Sequence, residues 1–197
     1  MIFRGLLVAM VLATRVGAEP APQVDLSKSA PVEINGLSFV VATQKQWGRG
    51  DLKPVIQLLV TNISKDDITF PVFDTLGING STWWGFPIVL GGFRTITDVL
   101  PPVLLHPGET QNVAGFIEVK WTKPTFFGTP QLTGYYFDGT GTSWNFSTLT
   151  PGRYYLSFGV SSRTTKDPFP VMFAKPHGPL WLGEGTTKSA PFDVVSP

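Results

Sequence analysis

Cysteine is absent from this 197-residue sequence. Without it there is no disulfide, no thiolate metal site, no thiol nucleophile and no blue-copper centre. Histidine is almost absent: His106 and His177 are the two copies. Each sits in a turn sequence, Leu105-His106-Pro107-Gly108 and Pro176-His177-Gly178, with no second ligand at metal-binding spacing. Both read as surface turn residues, and no cofactor is expected. Charge is sparse, 15% of residues, and the formal net charge is +1. Nucleic acid binding needs a basic face that displaces counterions, so nucleic acid is excluded as a partner. Helical periodicity is missing beyond the N-terminus, and no later apolar run approaches the roughly 20 residues of a membrane span.

What is present points to strands. An apolar content of 42% is ample for a core and excludes global disorder. Gly (21) and Pro (18) are abundant without a collagen-like period, which signals frequent turns between short strands.

Met1–Ala18 reads as a secretory signal. Arg4 supplies the positive start, Leu6 to Ala13 the apolar run, and Val16-Gly17-Ala18 the small residues for cleavage after Ala18. Removing Arg4 and Arg15 with it leaves 13 basic against 14 acidic residues. The expected product is secreted or periplasmic, and the lack of disulfides favours a bacterial source. Residues 19–31 are Pro-rich and polar, a flexible lead-in. Residues 32–197 form one domain.

Within it, Val32-Glu33-Ile34 and Leu37 to Val41 flank Asn35-Gly36, the strongest short hairpin signal. Val55 to Thr61 reads as a central strand and Ile68 to Phe73 as a strand in which Pro71 suggests an edge or a bulge. Phe86 to Leu90 is a strand ending at Gly91-Gly92, and Val103 to Leu105 a short one. Gln111 to Trp121 alternates as a single strand, with Trp121 as a core residue at its end. Tyr154 to Val160 and Ala190 to Val195 complete the set. Leu-x-Pro-Gly occurs before two of these strands, at Pro107-Gly108 and Pro151-Gly152, and predicts a type II turn at each. The expectation is an all-β, antiparallel β-sandwich of eight or nine strands. Thr122 to Thr148 interrupts it as a long aromatic-rich insertion, part of which is expected to form a small hairpin.

The order of Val60-Thr61-Asn62-Ile63-Ser64, Ile68-Thr69-Phe70, Leu-x-Pro-Gly-Glu and Leu-x-Pro-Gly-x-Tyr-x-Leu resembles the immunoglobulin-like sandwiches of exported bacterial proteins. From Leu37 to Val160 it is similar in part to the BsuPI-type proteinase inhibitor domain. The resemblance implies an immunoglobulin-like fold and, for the second family, an inhibitory surface.

Reaction chemistry finds little support. No Gly-x-Ser-x-Gly occurs, and Asp66-Asp67 are adjacent on a turn with diverging side chains. Asp138-Gly139-Thr140-Gly141-Thr142 lacks the carboxylates of a calcium loop. Arg49-Gly50-Asp51 reads as an ordinary loop, and Asn62, Asn79 and Asn145 head sequons that matter only in a glycosylating host. The remaining signal is aromatic. Trp83 and Trp84 are adjacent and, on a strand, face opposite sides. With Tyr135, Tyr136 and Trp144 they are the candidate binding residues. The expectation is a non-catalytic exported protein that binds an unidentified protein or serves in an envelope structure. The alternatives are a carbohydrate-binding module, which requires Trp83 or Trp84, Trp144 and Tyr135 in one exposed row, and a secreted protease inhibitor.

Overall fold

The computed structural model describes residues 24–48, 53–72, 76–94, 101–123, 128–138, 142–162 and 178–196. The expected leader, the Arg49-Gly50-Asp51 tripeptide and His177 lie outside them. In chain order the strands are β1 (Leu26–Lys28), β2 (Val32–Ile34), β3 (Leu37–Gln44), β4 (Gln46–Trp47), β5 (Ile56–Asn62), β6 (Ile68–Phe70), β7 (Leu76–Thr82) and β8 (Val89–Arg94). They continue with β9 (Val103–Leu105), β10 (Thr110–Asn112), β11 (Phe116–Thr122), β12 (Gln131–Phe137), β13 (Thr142–Phe146), β14 (Gly152–Ser161), β15 (Glu184–Thr186) and β16 (Ala190–Val194). The described residues contain no helix.

These strands make four sheets rather than the two of a simple sandwich. The first runs β1-β3-β5-β10, with β2 also on β3. Its β2–β3 hairpin turns at Asn35-Gly36, where both residues have positive φ (46° and 82°), as the Asn-Gly signal requires. β2 covers only Leu37–Phe39 of the eight-residue β3 on that side. The uncovered end, Ala42–Gln44, is paired by β1. Leu26–Lys28, expected in the flexible lead-in, are therefore a strand, because the free end of β3 offers them a ladder.

The second sheet is built on β14. One side of β14 pairs with β7 from Leu76↔Val160 to Thr82↔Tyr154. Its other side takes β16 along the first half and β15 along the second, and β4 lies parallel to β16. Alternation sends Tyr154, Leu156, Phe158 and Val160 inward, opposite Leu37, Phe39 and Val41 of β3. Trp47 is fully buried, stacks on Phe192 at 3.9 Å and donates its indole N–H to Thr43 Oγ1 at 3.1 Å. Trp181 is 2% exposed between Phe39 and Phe70. Trp121 is only partly buried; its indole N–H donates to Gly48 O at 2.8 Å.

The expected single strand from Gln111 to Trp121 is two. β10 pairs with β5 in the first sheet, and β11 pairs with β12 in another. The break falls at Val113 to Gly115. A Cβ at Gly115 would lie 1.7 Å from the carbonyl oxygen of Phe137, so only glycine lets the chain pass. This crossing, with several strands of two or three residues, lifts the count from the expected eight or nine to sixteen among the described residues.

The described part of the long insertion is also structured, and further than a small hairpin. β12 and β13 join β11 and β8 in a four-stranded antiparallel sheet, order β11-β12-β13-β8. β6 and β9 make a two-stranded sheet, with Pro71 just past β6. Of the two Pro-Gly turns, only the first forms as expected: Glu109 N–H donates to His106 O at 2.9 Å and Gly108 has φ 79°. Gly152 instead opens β14 and pairs with Val194.

Candidate binding surface

β7 enters the molecule where no strand is expected, and it fixes the position of the tryptophans. Its ladder with β14 ends at Thr82, and the chain reverses at once. Gly85 N–H donates to Thr82 O at 2.9 Å, and Thr82 N–H to Phe86 O at 2.8 Å. Phe86 N–H donates to Thr82 Oγ1 at 3.1 Å. Gly85 closes the loop with φ 86°, the left-handed conformation that glycine adopts without strain. Trp83 and Trp84 are thus the two central residues of a turn, not neighbours on a strand. Neither is core: they are 60% and 69% exposed, with ring centroids 3.7 Å apart. Phe86 beside them is 68% exposed.

The root of this hairpin is tight. Ser81 bridges Pro87, and Ile88 N–H donates to Gly80 O at 2.9 Å. Ile88 is 2% exposed and lies over Gly80, where a Cβ would come within 2.7 Å of it. From there β8 runs through Gly91-Gly92 rather than ending at them. The register shifts between Trp144 and Phe146: two steps on β13 match three on β8, and Gly91 takes φ 115°. Leu90, within this bulge, is exposed, as is Phe93 on the face opposite Gly92.

The four-stranded sheet separates the other candidates by face. Its inner row runs Ile117, Tyr136, Trp144, Gly92. Tyr136 is fully buried and meets Phe158 edge-on at 5.7 Å. Its hydroxyl oxygen accepts the Gly115 N–H at 3.0 Å, and burial pushes the phenol far above its ordinary range. Tyr136 therefore presents no surface to a ligand; alternation turns it into the core. Trp144 packs over Gly92, where a Cβ would sit 2.9 Å from its ring. Its buried indole nitrogen has no hydrogen-bond partner among the described residues. Trp144 also lines a concavity of about 270 Å³ under the hairpin, with Ile78, Asn79, Ser81, Pro87 and Val89.

The outer row runs Phe116, Phe137, Ser143, Phe93. Phe116 stacks on Phe137 at 4.9 Å, and Tyr135, next to Phe137 on this face, is 43% exposed. Lys53 Nζ lies 5.7 Å from the Phe116 ring centre and 2.8 Å from Glu118 Oε1. Tyr135 and Trp144 thus occupy opposite faces of one sheet, and the single aromatic row does not form. Phe86, Phe93 and Phe116 went unforeseen. The signal that places Phe86 is the glycine three residues after Thr82, a turn-closing position.

Elsewhere, His106 Nδ1 lies 2.9 Å from Asp67 Oδ1, and that hydrogen bond raises the imidazole pKa above its ordinary value. The Glu109 carboxylate accepts the His106 backbone N–H and a Gln111 side-chain N–H, which hold it below the usual range. Among the described residues no group of three or more His, Asp and Glu converges as metal ligands. No described helix is long and apolar enough to cross a membrane. The Asn62 sequon is spoken for. Its amide is fully buried and donates to Asp66 O and Leu105 O, while its oxygen accepts from Ser64.

No family model, no curated protein and no solved structure matches the chain.

Proposed function

We propose that the chain is an exported, non-catalytic binding protein of the cell envelope that engages its partner through the Trp83-Trp84-Gly85-Phe86 tip. One observation carries this reading: two tryptophans, 60% and 69% exposed, are held outward by a turn whose root is packed into the core. Large apolar rings kept in water by a rigid support recover favourable energy when a partner covers them. The leader-like Met1–Ala18 segment supports export to the periplasm or medium. The resemblance of Leu37 to Val160 supports an immunoglobulin-like ancestry.

A second reading, glycan binding, is favoured by the outer face of the four-stranded sheet. There Tyr135, Phe116 and Phe137 offer ring faces beside Glu118 and Lys53. It would use Tyr135 without Trp144.

Isolated envelopes of the producing cell, titrated with the chain and with its Trp83→Ala/Trp84→Ala variant, test the first reading. Saturable retention that the double variant loses is the expected result. Equal retention of both would overturn it.

A further inference from the structure

The β7–β8 hairpin carries no charge short of Arg94, the last residue of β8. From Thr75 through Phe93 the sequence contains no Asp, Glu, Lys, Arg or His, with Asp74 and Arg94 closing the gap at either end. The exposed tip lies in the middle of this stretch. We propose that Trp83, Trp84 and Phe86 seat in the interfacial layer of a lipid bilayer, a proposal that rests on the binding role assigned to this tip.

Four features favour a lipid surface. The first is the lack of charge: from Thr75 to Phe93 no ionised group must be stripped of water on entry, and none is there to complement a charged protein patch. The second is residue type. Tryptophan concentrates at membrane interfaces, where its ring is apolar and its N–H reaches the headgroups.

The third is the backbone. Polar main-chain groups entering an apolar layer need internal partners. The turn supplies them to the Thr82 N–H, the Thr82 carbonyl, the Gly85 N–H and the Phe86 N–H, and Pro87 has no N–H to satisfy. The fourth is area. Aromatic side chains bury about 150–250 Å² each, so three rings at the observed exposure offer roughly 300–500 Å². A standard protein interface takes about 800 Å² from each partner.

The tip is too short to cross a bilayer, so the chain would rest on the surface, its rings reaching about 5–10 Å inward. Apolar seating has a further consequence. With 13 basic against 14 acidic residues once the expected leader is removed, and a charge-free tip, attachment would need no anionic lipid and would survive salt.

The test is sedimentation of the full chain with phosphatidylcholine vesicles. Three forms are compared: wild type, Trp83→Ala/Trp84→Ala, and Leu182→Ala. Leu182 is 54% exposed and lies beyond the Ser161 end of β14, away from the tip, so its variant is a control. Wild type and Leu182→Ala should partition alike, and the double variant about tenfold less or lower. Partition of the wild type should hold between about 0.1 and 1 M NaCl. Brominated phosphatidylcholine should quench tryptophan fluorescence in the wild type and much less in the double variant. Matching urea midpoints establish that all three forms are folded.

Equal partition of wild type and double variant, or loss of binding in salt, overturns the lipid assignment. A parallel arm uses envelope residue extracted with detergent to remove lipid. Tryptophan-dependent retention there, without vesicle binding, overturns the lipid assignment and leaves the tip as a protein or glycan contact. Retention in neither arm overturns both readings.

Discussion

Replacing Gly115 with alanine tests how the chain passes from the first sheet to the four-stranded one. The new methyl carbon would lie 1.7 Å from Phe137 O and 2.7 Å from Phe137 C, whereas real contacts keep at least 3.0 Å. Both obstructing atoms are backbone, so no rotamer change relieves them. The crossing segment must back away from β12, and the 3.0 Å bond from Gly115 N–H to the Tyr136 hydroxyl is then lost. An N–H left without its bond in a buried setting costs about 1–3 kcal/mol. The strained register of β11 against β12 adds to that, so Gly115→Ala should lose about 3 kcal/mol or more, a large share of a typical 5–15 kcal/mol stability.

Tyr136→Phe isolates the hydrogen bond without the clash and should cost about 1–3 kcal/mol. Gly91→Ala is the backbone control: a Cβ there meets nothing within 4 Å, but φ 115° strains any L residue, so it should cost about 1–3 kcal/mol from conformation alone. Urea unfolding followed by tryptophan fluorescence reads all three. If Gly115→Ala lies within about 0.5 kcal/mol of wild type, the close crossing described here is wrong.

Trp47→Ala should cost about 3–5 kcal/mol in the same assay, because its buried ring stacks on Phe192, whereas Trp83→Ala should stay within about 0.5 kcal/mol. Asn62→Ala strands the Leu105 carbonyl and the Ser64 N–H and should lose about 2–4 kcal/mol by urea denaturation. His106 should titrate above its ordinary pKa by proton NMR, and Asp67→Asn should return it toward that value. Because the folded value is raised, its stabilising contribution is complete below the unfolded pKa. It is lost as pH rises through the folded value, so the wild-type advantage over Asp67→Asn should shrink with rising pH.

Local conformational demands were legible in the residue types. Asn35-Gly36 and Pro107-Gly108 carry their turns because positive φ excludes most other residues. Val103 to Leu105 reads as a strand with the bounds it has, and the strand expected over Ala190 to Val195 ends one residue earlier, at Val194. What depends on distant partners was hidden. β7, Leu-Gly-Ile-Asn-Gly-Ser-Thr, gives no strand signal; its supports are Ile88 over Gly80 and Trp144 near Gly77. Likewise Gly115 fits a strand alternation, and only Phe137 across the gap shows why it breaks one.

The candidate site divides in the same way. Tyr135 and Tyr136 are neighbours in sequence, and alternation alone sends them to opposite faces; which face is wet is decided by Phe158 on another sheet. Trp83 and Trp84 read as strand neighbours facing opposite sides, one of them core; their shared exposure follows from Gly85 closing a turn.

The hairpin straddles a seam, its first strand laced to β14 along seven residue pairs and its second to β13. A tug on the tip along the strand direction would load both ladders in shear, so many bonds must yield together rather than peel one by one. Whatever the tryptophans hold, the chain is gripped there by two sheets at once, which suits a tether that must bear force.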